Sequence, residues 1–173
     1  ISSNFKVKYE SGKLSISPKE LKATTNKEIK YGEDPIDGIA TQFDGFAFDD
    51  TSLTVFSEGK PDYYFVDQSI SSPTIDNELE EGDKLPVGVY NIKIRDVQNY
   101  TINSVGTLTV TKKSLTANSS GEINYGEDSE DAITTVYNGF EFDDTEANVF
   151  PDGVPYYFID AGNIEYELGA IIP

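Results

Sequence analysis

The sequence predicts an all-β chain of tandem small antiparallel modules. A long block recurs 94 positions further on, apolar and polar residues alternate over short runs, and Gly, Asn, Asp and Pro punctuate the gaps between runs. The repeat is the strongest of the three signals. Ile29-Lys30-Tyr31-Gly32-Glu33-Asp34 returns as Ile123-Asn124-Tyr125-Gly126-Glu127-Asp128. The same offset carries Phe43-Asp44-Gly45-Phe46-Ala47-Phe48-Asp49-Asp50-Thr51 onto Tyr137-Asn138-Gly139-Phe140-Glu141-Phe142-Asp143-Asp144-Thr145, and Val55-Phe56 onto Val149-Phe150. One deletion later, Tyr63-Tyr64-Phe65-Val66-Asp67 meets Tyr156-Tyr157-Phe158-Ile159-Asp160.

Strand alternation is clear in Val89 to Ile94, Tyr100 to Asn103 and Leu108 to Thr111, where every second side chain is suited to a core. Ile133 to Tyr137 is β-branched and aromatic, which favours strand. Its counterpart in the first copy has two readings. Asp34-Pro35 has the form of a helix N-cap and first residue, with Ile36, Ile39, Ala40 and Phe43 on one helical face. The second copy keeps the β pattern and loses Pro35, so strand is favoured. Several short strands per repeat suit an immunoglobulin-like sandwich. A β-grasp-like module with one short helix is the alternative. Pro86-Val87-Gly88-Val89-Tyr90 leads into a late strand whose Tyr is expected to fold its hydroxyl back onto the preceding corner.

A second set of matches bears on where a module ends. Asn99-Tyr100-Thr101-Ile102 and Gly106-Thr107-Leu108-Thr109-Val110 have counterparts at Asn4-Phe5-Lys6-Val7 and Gly12-Lys13-Leu14-Ser15-Ile16. The first seventeen residues are therefore expected to be the tail of an earlier unit, in an array continuing in both directions. Phased from Val87, the chain divides into modules 1–86 and 87–173, with Gln68 to Leu85 as their connection. The alternative phase divides it into 14–107 and 108–173.

Composition excludes several functions. With no Cys and no His, disulfides, thiolate metal sites, the Ser/His/Asp triad and the commonest general base are all missing. Carboxylate pairs able to run glycoside hydrolysis are plentiful, but each occurs twice in the repeated block, which suits structure or binding better than one active centre. The chain is expected not to be an enzyme. A net charge of −18 argues against nucleic acid and anionic membranes as partners. No run approaches the roughly 20 apolar residues of a membrane span, so no membrane insertion is expected of this segment. The absence of Cys, Met and Trp leaves few oxidisable side chains, which suits a secreted or cell-surface protein.

Two kinds of candidate site remain. Glu33, Asp34, Asp49, Asp50, Glu127, Asp128, Asp143 and Asp144 put clustered oxygen ligands in loops, the donor set that a hard cation such as Ca²⁺ takes. Turn chemistry, in which Asp caps backbone N–H groups, is the other reading and is favoured. In Tyr63-Tyr64-Phe65 and Tyr156-Tyr157-Phe158 the central residue must point opposite its neighbours. Tyr64 and Tyr157 are thus the candidates for contact with a glycan or an adjoining module.

The order Tyr31-Gly32, Gly45-Phe46, Asp50-Thr51, Gly88-Val89-Tyr90-Asn91-Ile92, Asn99-Tyr100, Gly106-Thr107-Leu108-Thr109-Val110 resembles the MBG-type repeats of bacterial cell-surface adhesins. The second copy supplies Tyr125-Gly126, Gly139-Phe140 and Asp144-Thr145. The resemblance implies a surface-exposed array that projects or contributes to adhesion, with no catalytic residues to carry over. Its partners would be neighbouring repeats of the same chain and, if the module itself binds, a host glycan, mucin or protein.

Overall fold

The computed structural model describes residue 4, residues 6–124 and 132–150, and the backbone of 158–160 and 165–167. Its strands are β1 (Lys19–Thr24), β2 (Lys27–Lys30), β3 (Gln42–Asp44), β4 (Tyr63–Asp67), β5 (Glu78–Leu79), β6 (Gly88–Ile94), β7 (Tyr100–Val105), β8 (Thr107–Thr111), β9 (Thr116–Ser120), β10 (Thr134–Asn138), β11 (Phe158–Asp160) and β12 (Glu165–Glu167). The chain is mostly β. The one-turn helices α1 (Ser52–Val55) and α2 (Glu146–Val149) occupy the same place in the two copies.

The first unit is a sandwich. One sheet has the order β3-β1-β7 and the other β2-β8-β6-β4-β5. Residues 19–30 and 100–111 run parallel through both sheets. Lys19 pairs with Tyr100 and Lys30 with Thr111, a constant offset of 81. Both segments change sheet at the same point, where Thr25 N–H donates to Val105 O and Asn26 Oδ1 accepts from Thr107 N–H. Gly106 sits in this crossing with φ 152°, and a Cβ there would run into the Thr25 carbonyl. Only glycine lets the two backbones approach so closely.

Alternation decides what faces inward. Leu21 and Ala23 of β1, Ile29 of β2, Tyr63 and Phe65 of β4, Tyr90, Ile92 and Ile94 of β6, Tyr100 of β7, and Leu108 and Val110 of β8 close on one core. Each large apolar side chain fully buried there contributes about 1.5–3 kcal/mol. The Tyr90 hydroxyl donates to Pro86 O at 2.7 Å, the expected tyrosine corner. Buried Thr25 enters a hydroxyl chain, with Thr25 Oγ1 2.6 Å from Thr41 Oγ1, itself 2.7 Å from the Tyr63 hydroxyl.

The same local rules act in the second copy. β10 pairs β9 with Thr116 opposite Asn138, where β3 pairs β1 with Lys22 opposite Asp44. Ser119 Oγ lies 2.8 Å from Thr135 Oγ1, at the positions of Thr25 and Thr41. Tyr137 stacks near Phe140 and Phe150 as Phe43 does near Phe46 and Phe56. β11 and β12 form an antiparallel pair.

Four readings are corrected. The division at 86/87 cuts through one sheet, because β6 hydrogen-bonds β4 on one side and β8 on the other. The alternative cut at 107/108 also fails, since Leu108 to Thr111 pair with β2 around the first core. Gln68 to Leu85 does not connect two modules. It holds β5 against β4, buries Leu85 in the core, and lets Arg95 bind Glu78 and Glu80 at 2.9 and 2.7 Å. Finally, no helix forms over residues 34–43, the basis of the β-grasp alternative. Asp34 Oδ1 accepts from Ile36 N–H at 2.8 Å and Ile39 N–H donates to Ile36 O at 3.1 Å, but this single turn does not propagate and the chain bends to β3.

Residues 6–18 carry no regular structure. Leu14 and Ile16 are 89% and 88% exposed, whereas their counterparts Leu108 and Val110 are 0% and 2% exposed. Gly106 and Gly12 therefore test the crossing. Gly106→Ala should destabilise the chain by about 3 kcal/mol, because rigid backbone faces the new methyl. Gly12→Ala, with open space around it, should stay within about 0.5 kcal/mol. Thermal melting of both variants checks this, and equal shifts would remove the crossing as a constraint.

Candidate functional site: the joint between the two units

Strand β8 ends at Thr111 and β9 begins at Thr116, so four residues separate the two units. So short a connection holds the end of the first unit against the start of the second. The contact on the first unit is the Tyr31-Gly32 turn that follows β2, together with Lys84, which precedes the tyrosine corner. On the second it is the turn Glu141 to Asp144, closed by Asp144 N–H donating to Glu141 O at 3.0 Å.

Five interactions build the joint. The Tyr31 hydroxyl donates to Asp144 Oδ2 at 2.7 Å, and Lys84 Nζ meets Asp144 Oδ1 at 2.5 Å. The rings of Tyr31 and Phe142 meet edge to face, with centroids 5.5 Å apart. Lys84 Nζ also lies over both rings, 5.7 and 5.9 Å from their centroids. Lys113 pairs with Glu141 beside them. Gly32, at φ 91°, leaves room for the Glu141 side chain, which a Cβ at that position would strike.

Phe142 reaches Tyr31 from a backbone at φ 54°, a left-handed conformation costing a non-glycine residue about 1–2 kcal/mol. Phe48, at the matching place in the first copy, has the same φ of 54°. The Asp144 carboxyl is held below the ordinary range, chiefly by its hydrogen bond from Lys84 and then by that from Tyr31. The Lys84 ammonium is raised above its ordinary value, chiefly by its hydrogen bond to Asp144 and then by that to Tyr31.

The described acids take several roles. Glu33 Oε2 accepts from Lys30 N–H at 2.8 Å, and Asp34 caps Ile36 N–H. Asp50 Oδ2 accepts from the Tyr100 hydroxyl at 2.6 Å, and Asp144 is in the joint. Asp49 and Asp143 sit beside them in the two matching turns. Among the described residues no three Asp or Glu side chains gather as a metal ion would require. Glu127, Asp128 and Tyr157 lie outside the described residues.

Tyr64 does point away from the core, between inward Tyr63 and Phe65. Arg95 lies over one face of its ring at 4.7 Å and holds Glu78, Glu80 and Asp62 around it. Sequence reasoning missed Tyr31, Lys84 and Phe142 as interacting residues. The available signal was an apolar residue repeated inside a turn, just before Asp-Asp.

Comparison with protein-family models, with curated proteins and with solved structures found no match.

Phe142→Ala should loosen the joint without unfolding either unit, removing an aromatic pair of about 0.5–1.5 kcal/mol. Distance distributions between spin labels on the two units should broaden. The pH dependence has two sides. Asp144, with its folded pKa depressed, contributes above the ordinary carboxylate pKa of about 4, and this is lost as pH falls through the lower folded value. Lys84, with its folded pKa raised, contributes below about 10.4 and loses this as pH rises through the higher folded value. The distribution should stay narrow from about pH 5 to 9. Broadening between pH 6 and 8 would contradict the ion pair.

Proposed function

We propose that the chain is a length of structural stalk, built of tandem β-sandwich units and carried at a bacterial cell surface, as the MBG-type likeness implies. One observation carries the reading: four residues join the last strand of the first unit to the first strand of the second, and side chains from both sides clamp that junction. A spacer needs defined length and stiffness, and a short connection with a fitted contact supplies both. Residues 114–173 hold no Lys or Arg, which suits a solvating acidic surface on an extended extracellular protein. The role is not catalytic. Its contribution to adhesion is to project a binding element, and Arg95 across Tyr64 weighs against a sugar platform on this sheet.

Small-angle scattering tests the stalk. Two units in line should give a radius of gyration near 23 Å, against about 16 Å for a compact globule of this length. A value at the lower figure would sink the proposal. Binding of mucin or an arrayed glycan that Tyr64→Ala abolishes would replace it with the binding-module reading.

A further inference from the structure

Phe48 has no role in the unit that carries it. Its side chain is fully exposed, at 103%, yet its backbone is held at φ 54°, where bulky residues are disfavoured. Strain retained at an exposed ring points to a contact made elsewhere. The second copy shows what that contact is. Phe142 occupies the same turn at the same φ, and its ring, 50% exposed, lies edge-on against Tyr31 of the preceding unit. Both turns close identically, with Asp50 N–H donating to Ala47 O and Asp144 N–H to Glu141 O, each at 3.0 Å.

We propose that Phe48 is a docking ring whose occupant is the Tyr-Gly turn of a like unit placed on its N-terminal side, so that each joint of the array repeats the Tyr31–Phe142 geometry. Residues 4–16 support this, since Asn4-Phe5-Lys6-Val7 and Gly12-Lys13-Leu14-Ser15-Ile16 are similar in sequence to β7 and β8, the strands that in the first unit lead straight into a joint. The inference rests on the tandem reading and makes it specific. It assigns the angle between units to one ring, and makes the strained phenylalanine the means of presenting it.

The test uses the 173-residue chain and the same chain with residues 18–111 duplicated in frame. Duplication puts Tyr31 of the first copy and Phe48 of the second 111 positions apart, the separation of Tyr31 from Phe142. Because the chain has no Cys, spin labels can be placed on single introduced cysteines in each unit. In the 173-residue chain, Phe48→Ala should leave the melting temperature and the joint distribution unchanged, and Phe48→Gly should leave melting equal or raise it by relieving the positive φ. In the extended chain, either substitution in the second copy should at least double the width of the first joint's distance distribution while leaving the next joint narrow. An unchanged first joint would overturn the proposal. So would a melting temperature lowered by Phe48→Gly in the 173-residue chain, which would make the ring part of its own unit. Concentration-dependent association of the 173-residue chain, lost on Phe48→Ala, would overturn it by making the occupant a second copy. A compact radius of gyration would defeat the stalk reading separately, whatever the width of the first joint.

Discussion

The first unit depends on two segments 81 positions apart lying parallel and changing sheets at one crossing. Without that pairing β1 keeps only β3, and β2 has no partner in the second sheet. The crossing requires a residue without a side chain at position 106 and a buried hydroxyl at Thr25 that finds Thr41. Because both segments move between sheets together, one core receives side chains from both layers. The chain then needs no separate element to close it.

Period was legible in the sequence, and phase was not. The 94-residue recurrence fixes the spacing of equivalent residues, but any starting point along it gives the same spacing. Phase is set by hydrogen bonds between segments 81 apart, which no similarity between copies reveals. Alternation correctly gave β6, β7 and β8, the inward and outward faces of Tyr63-Tyr64-Phe65, and the corner at Tyr90. At residues 34–43 neither reading holds throughout: the apolar residues at helical spacing, the alternative, form no helix and pack partly against the core from an irregular path, and the favoured strand forms only at its end, in β3. Acidic pairs stood out as possible ligand clusters because composition records identity, not neighbours. In place Glu33 and Asp34 answer backbone N–H groups, Asp50 a tyrosine, and Asp144 a tyrosine and a lysine.

The joint shows how a weak contact acquires definition. An exposed ion pair alone contributes little, and a single edge-to-face ring pair only somewhat more. Here the tether of four residues brings the partners together at high effective concentration, and Asp144 accepts from two donors at once. Lys84 adds its charge over both rings. It comes from the Gln68 to Leu85 segment, so a loop that resembles a linker in composition instead braces the neighbouring unit.

The parallel pairing also determines how the unit bears tension. In a tandem chain, force enters the unit at the start of β1 and leaves at the end of β8, at opposite ends of a parallel ladder with six register pairs in one sheet and four in the other. Pulling therefore slides the two segments along each other. It does not peel them apart one bond at a time, as it would if the first and last strands were antiparallel neighbours pulled from the same end. Loaded in shear, the paired positions resist together, and the crossing at Gly106 acts as a mechanical detent that must be dragged past Thr25 before the unit can lengthen.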